Sequence, residues 1–285
     1  MSWDGPLFDN HMHIDPRNGR GLDAVRDFHR AGGTHLMLVG KTARDWGIDA
    51  RDVPSFLLAY ERTLGLARDI NEETPVTAYA AVGYHPSEMT GIAEACGVAY
   101  ALELGFGLLD VWERLYDEGR ITAVGEVGRP HYPVPEAVWE ASNEFMQACL
   151  SFSKRTGCPV QLHTEHFEEA QFAEVGAMIA QAGHPPGIVK HFCPPFPDLA
   201  RRNGMTASVV ASREAVVRAL ATGEPFFMET DYIDDLTRPG AVLGPKTVPK
   251  RTLSLLDSGE LDREMCWRIH AELPERVYGV DLSAP

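Results

Sequence analysis

His11 and His13 stand one residue apart in the stretch Phe8-Asp9-Asn10-His11-Met12-His13-Ile14-Asp15. Leu7, Phe8, Met12 and Ile14 give it a strand's apolar content, and Pro16 ends it. Residues two apart on a strand point to the same side, so the two imidazoles project together, as two ligands of one metal ion do. The pair alone is a weak signal, because two polar side chains on one strand face are common. It gains weight from four residues further along the chain. Glu126 lies in Gly125-Glu126-Val127-Gly128, His163 in Leu162-His163-Thr164-Glu165, His191 in Lys190-His191-Phe192 and Asp231 in Glu229-Thr230-Asp231. Each sits at the end of a short apolar run. A lone histidine there is usually a hydrogen-bonded core residue, and a lone aspartate often caps a helix. Together, four histidines and two carboxylates at the ends of successive runs point to one metal-binding mouth.

The chemistry is set by those residue types. One carboxylate can bridge two divalent ions about 3.5–4 Å apart, and Glu126 is assigned that place because the glycines near it allow close approach. His11, His13 and Asp231 would hold one ion, and His163 and His191 the other. Water or hydroxide between the ions is then the nucleophile, its pKa lowered toward neutrality while the substrate's oxygen is polarised. Asp231 is assigned to take the water's proton and pass it to the leaving group. The expected cofactor is therefore a pair of divalent ions. The histidines favour zinc, and carboxylate sharing leaves manganese, iron and magnesium open.

The elements that must position these groups can be read from the apolar pattern. Eight short apolar runs, at 7–14, 35–39, 76–82, 121–127, 160–163, 188–192, 207–211 and 226–231, alternate with amphipathic stretches. Leu22, Val25, Phe28 and His29 have helical spacing, as do Phe56, Leu57, Tyr60, Leu64 and Ala67. Residues 137–152 and 167–179 read as further helices, and 96–116 as an extended helical region. Alternation of this kind means parallel strands joined by crossovers. Eight units predict an α/β fold of the TIM (β/α)8 barrel type, in one domain over residues 1–285. An open doubly wound sheet is the other arrangement, but Gly19-Arg20-Gly21 lacks the phosphate-loop spacing that such sheets carry after their first strand. Residues 237–249 read as a long loop over one mouth, and 261–280 as a closing helix and docked end.

Composition narrows the partners. A formal net charge of −15 excludes a general nucleic-acid binder, although a local metal-rich pocket could still take phosphate. No apolar run is long enough to span a membrane. The first residues, Met-Ser-Trp-Asp-Gly-Pro, have no basic segment leading into an apolar core, so the expected location is cytoplasmic. The five cysteines are an odd number with no Cys-x-x-Cys spacing, which speaks against a disulfide framework or a zinc finger. Oligomeric state has no signal in the sequence.

With these residues assigned, the chain resembles the TatD-type metal-dependent hydrolases of the amidohydrolase superfamily. The resemblance rests on Asp9-Asn10-His11-Met12-His13-Ile14-Asp15, Val82-Gly83-Tyr84-His85-Pro86, Ala123-Val124-Gly125-Glu126-Val127-Gly128, Gln161-Leu162-His163-Thr164, Gly187-Ile188-Val189-Lys190-His191-Phe192 and Glu229-Thr230-Asp231, in the family's order. It implies a TIM barrel, a dinuclear site and hydrolase activity, often deoxyribonuclease activity on DNA ends. The family's ligands map onto His11, His13, Glu126, His163, His191 and Asp231.

The substrate side departs from that pattern. Where the family usually continues Leu-Asp-Tyr after Gly-Glu-x-Gly, this chain has Arg129-Pro130-His131-Tyr132. Where it usually has Arg-Asp after the fifth-strand His-Thr, this chain has Glu165-His166, which reverses the charge. His85, Arg129 and Glu165 are the expected substrate contacts, with His131, Lys246 and Lys250 as further basic groups on loops. The substrate is then a nucleic-acid end or a small molecule carrying a phosphoester, amide or lactone. A metal-binding barrel without catalysis is the remaining reading.

Overall fold

The computed structural model describes residues 3–282. Its strands are β1 (Phe8–His13), β2 (His35–Val39), β3 (Thr77–Val82), β4 (Ala123–Gly128), β5 (Val160–His163), β6 (Ile188–Lys190), β7 (Thr206–Val210), β8 (Phe227–Glu229) and β9 (Tyr232–Ile233). All eight predicted runs are strands. Between and after them come α1 (Leu22–Arg30), α2 (Val53–Glu73), α3 (Pro86–Cys96), α4 (Val98–Asp117), α5 (Glu136–Thr156), α6 (Glu169–Gln181), α7 (Pro197–Arg202), α8 (Arg213–Leu220), α9 (Thr247–Ser258), α10 (Arg263–Trp267) and α11 (Leu273–Tyr278). The sheet order is β8-β7-β6-β5-β4-β3-β2-β1-β9, and every pairing is parallel. Only Thr230 and Asp231 separate β8 from β9, so the last strand bonds β7 with its first half and β1 with its second. That double pairing curls the sheet into a TIM-type α/β barrel.

Strands covered by helices outside and side chains inside are buried on both faces, and so read as near-continuous apolar runs. All residues of β1, β2 and β4 are buried. Phe8, Met37, Val39, Ala81, Ala123, Val189 and Phe227 form one apolar cluster with Leu273, Tyr278 and Leu282, so the C-terminal segment plugs one end of the barrel. The opposite end carries the chemistry.

Two strands have an extra residue. Asp9 pairs with Leu36 and Met12 with Leu38, so β1 spends three steps against two in β2. Val124 pairs with Val160 and Val127 with Leu162, which is the same irregularity in β4. A bulge re-aims the side chains beside it. These two fall at Asn10-His11 and Gly125-Glu126.

Three predicted boundaries are corrected. The helical region at 96–116 is the single helix α4, which starts at Val98 because Gly97, with φ of 96°, separates it from α3. The predicted loop at 237–249 ends early, since α9 begins at Thr247. The closing helix is interrupted by a π-helical turn at Arg268–Glu272, just before Pro274, which has no N–H to continue an ordinary ladder. Among the described residues, no helix is long and apolar enough to cross a membrane.

Candidate metal centre

The C-terminal ends of β1, β4, β5 and β6 and the β8–β9 break converge on one mouth. Glu126 is its hub. Its Oε1 lies 2.6 Å from His163 Nδ1 and 3.5 Å from His191 Nε2. Its Oε2 lies 3.6 Å from His11 Nε2, 3.5 Å from His13 Nε2 and 4.0 Å from His85 Nε2. Asp231 Oδ1 is 3.6 Å from His13 Nε2. Three overlapping groups have donor atoms close enough to hold an ion: His11, Glu126 and His191; His11, His13 and Asp231; and His85, Glu126 and His163. All six residues expected as ligands are thus brought together, and His85 joins them.

Asp231 reaches the mouth by a local backbone device. Its φ is +45°, a left-handed conformation that ends β8 and turns the carboxylate inward; aspartate tolerates this better than most residues. The Thr230 N–H released at the break donates to Asp9 Oδ1 at 3.1 Å.

The hydrogen bonds behind the histidines fix which nitrogen faces the mouth. His13 Nδ1 meets the Val39 carbonyl at 3.1 Å, and a carbonyl only accepts, so Nδ1 carries the proton. The Gln161 amide nitrogen donates to the Asn10 carbonyl and to Tyr278 Oη, at 3.3 and 2.9 Å. Its oxygen therefore faces His11 Nδ1 at 2.9 Å, and that nitrogen too is the donor. Both Nε2 atoms are then lone-pair groups, yet they lie 3.1 Å apart. Two acceptors face each other this way only with a cation between or beside them, so the donor set fits a divalent ion.

The electrostatics obey the same geometry. Burial would raise the Glu126 pKa, but His163, His11 and His191 hold it well below the usual carboxylate range. Burial opposes charge on His11, yet Glu126, with Glu229 and Asp231, pushes its pKa up to about 9. Burial, then the neighbouring His11, lowers His191 well below an ordinary histidine. His191 is held between Glu126 and Glu229, whose Oε1 is 3.0 Å from Nδ1.

The substrate-side residues fall differently. His85 caps α3 through Nδ1, which accepts from Ser87 N at 3.0 Å, and burial lowers its pKa to about 3. Arg129 is fully buried. Its guanidinium donates to Glu165 and to Glu174, at 2.8 Å (Nε) and 2.7 Å (Nη1), and lies 4.7 Å from the Trp139 ring centre. Arg129 and Glu165 are thus brought to each other: the cation has no free face for a ligand, and the charge reversal at Glu165 is neutralised from within. Lys246 points to Asp27 at 3.5 Å, and neither it nor Lys250 lines the mouth. Lys190 Nζ donates to the His191 carbonyl and lies over Phe167, away from the cluster. His131 does reach the site, with Nδ1 2.8 Å from His163 Nε2.

The sequence pattern did not bring out the supporting network. Tyr278 Oη donates to Asn10 Oδ1 at 2.7 Å, Asn10 Nδ2 donates to Ser208 Oγ at 2.9 Å, and Ser208 donates to Glu229. Polar residues inside apolar runs, Asn10 and Gln161 above all, were the available signal. Lys41, Asp45, Asp235 and Arg238 also line the mouth, a cavity of about 340 Å³.

Comparison with known proteins gives the family and the fold. Residues 8–279 match the family model described as TatD related DNase. The uncharacterized protein MJ1127 of Methanocaldococcus jannaschii is 40% identical over 287 residues, covering 98% of this chain and 97% of that protein. Among solved structures, YJJV, a TatD homologue from Escherichia coli, superposes with a TM-score of 0.64 at 16% identity, covering 96% of this chain and 98% of that one. The phosphotriesterase homology protein of Escherichia coli, complexed with phosphate in its active site, superposes with a TM-score of 0.60 at 12% identity, covering 96% and 98%. At these identities the two structures share the fold.

Proposed function

The chain belongs to the TatD related DNase family, and from that premise and its ligand cluster we propose that it is a divalent-metal-dependent hydrolase of phosphodiester bonds at nucleic-acid ends. The observation that carries the reading is the division of labour at Glu126. Its Oε1 faces His163 and His191, and its Oε2 faces His11 and His13. Such a carboxylate with histidines on both sides suits two ions rather than one. Bound there, two divalent ions would lower the pKa of a water toward neutrality and polarise the scissile oxygen.

The chain's own residues do the rest. Asp231, beside His13 at the rim, is the proton acceptor and hands the proton to the leaving oxygen. His85 and His131 flank His163 and face the entering substrate. Arg129 and Glu165 pair with each other outside the residues that line the mouth, so the exchange at Glu165 does not set a bare carboxylate against phosphate. Zinc is the ion we assign, from the histidine count. The small mouth favours a terminal nucleotide over duplex, and for the same reason a small phosphoester, amide or lactone is the second reading.

The test is release of nucleotides from single-stranded DNA ends by zinc- or manganese-loaded protein. Wild type is expected to release them and Glu126→Ala to release none. Asp231→Asn should cut kcat by about 100-fold or more. Protein shown to carry metal that releases nothing would transfer the assignment to the small-molecule substrates.

A further inference from the structure

Phe192 comes directly after a cluster histidine and is displayed rather than buried. It is 46% exposed, although its chain neighbours His191 and Cys193 are buried. A scattered exposed phenylalanine needs no explanation, but this one has a backbone cost as well. Its φ is +49°, a region where a bulky side chain is a true outlier. Three successive N–H groups hold the segment there: His191 N donates to the Leu162 carbonyl at 3.2 Å, Phe192 N to the buried Glu229 carboxylate at 2.8 Å, and Cys193 N to the Ser208 carbonyl at 2.7 Å. The ring stands edge-on to His191, with centroids 5.9 Å apart and planes at 75°. Strain imposed by the surrounding structure at a site is a recurring mark of function.

The rim around it is divided. On the β4 side, Tyr132 is 36% exposed and stacks edge-on with His131, which in turn packs 5.0 Å from His163. The imidazoles of His131, His163 and His191 line the β4–β6 arc of the mouth, with Tyr132 and Phe192 packed against them just outside the lining. The other arc is charged, with Lys41, Asp45, Asp235 and Arg238. A ligand with an ionic group at the metal cluster and a planar group beside it fits that division.

We propose that Phe192 is a stacking platform for the base of the nucleotide whose phosphate lies at the cluster, and so a specificity-determining residue. This rests on the phosphodiester reading. Stacking on an aromatic face is tolerant of base identity, so purine and pyrimidine nucleotides should bind alike, and a sugar phosphate lacking the base should bind more weakly.

The test is calorimetric binding of thymidine 5′-monophosphate and of deoxyribose 5-phosphate to metal-loaded protein. Phe192→Ala and Phe192→Gly should weaken the nucleotide by about tenfold or more and leave the sugar phosphate unchanged, while Phe192→Trp keeps the preference. Glycine suits φ of +49°, so Phe192→Gly should melt no lower than wild type, which separates lost binding from lost fold. Equal affinity for both probes, no binding of either, or equal losses on both in the variants would overturn the platform. Nucleotide binding that depends on Phe192 without any strand hydrolysis would sink the phosphodiesterase reading and leave the platform. Hydrolysis of DNA ends with KM unchanged in Phe192→Gly would do the reverse.

Discussion

At the scale of single residues, the informative groups are those that have no direct part in the chemistry. Gln161 is caught between Asn10 and Tyr278 on its nitrogen and His11 on its oxygen, so its orientation dictates the tautomer of a histidine in the mouth. Replacing it with leucine, of similar size, removes the acceptor for His11 Nδ1–H and frees the imidazole to present the wrong nitrogen. Partners of this kind typically matter 10–100-fold in metal affinity. Gln161→Leu should therefore bind zinc about 10-fold or more weakly in a chelator competition, with a circular dichroism spectrum like that of wild type. Arg129 makes the opposite prediction. Its guanidinium is enclosed and answers two carboxylates, so Arg129→Met should act on stability and not on substrate binding. Glu165 and Glu174 are partly exposed and can rehydrate, which limits the cost to about 2 kcal/mol, below the range for fully buried pairs. A lowered urea midpoint with unchanged KM is the expected result; a raised KM with unchanged stability would restore Arg129 as a substrate contact.

At the scale of elements, the strands were legible and the bulges were not. A run such as His35–Val39 is apolar because helices cover one face and side chains fill the other, and that cause acts on composition directly. The histidines and carboxylates of the mouth were legible as a set, since several polar residues at the ends of successive apolar runs are brought to one mouth. The extra residues at Asn10-His11 and Gly125-Glu126 leave no mark in composition, because a bulge is a relation between two strands. The same is true of the Arg129–Glu165 pair, whose members are 36 positions apart. Gly128 shows where a sequence signal and a structural need do meet. Its φ is +141°, and a Cβ there would lie 2.1 Å from the His163 carbonyl oxygen. That atom belongs to the β4–β5 pairing, where Gly128 stands opposite His163. Gly128→Ala must therefore push apart the strands that carry Glu126 and His163. We expect a loss of about 3 kcal/mol or more in stability, and metal binding lost with it. Wild-type-like melting of that variant would show the contact to be easily relaxed.

At the scale of the whole molecule, the C-terminal segment ties the closed end of the barrel to the working end. Tyr278 reaches Asn10 and Gln161, and His270, in the π-helical turn, accepts from Phe8 N at 3.1 Å through Nδ1 at the start of β1. His270 Nε2 meets Thr252 Oγ1 at 2.9 Å. Nδ1 can accept only while the ring is neutral, and burial lowers its pKa to about 4 from 6.5. Between pH 6.5 and pH 4 the unfolded chain binds a proton here that the folded chain does not. The stabilisation is therefore complete above about pH 6.5, falls as pH drops through that window, and has lost all it can lose near pH 4. A shift of this size corresponds to about 3 kcal/mol. His270→Asn keeps an acceptor for Phe8 N–H and cannot titrate. In urea unfolding from pH 7 to pH 4, wild type should lose about 3 kcal/mol more than His270→Asn, with most of the difference arising below pH 6.5. Parallel curves for the two proteins would show that His270 takes up its proton without disturbing β1, and the tail would then be a plug for the barrel and not a fastening of its first strand.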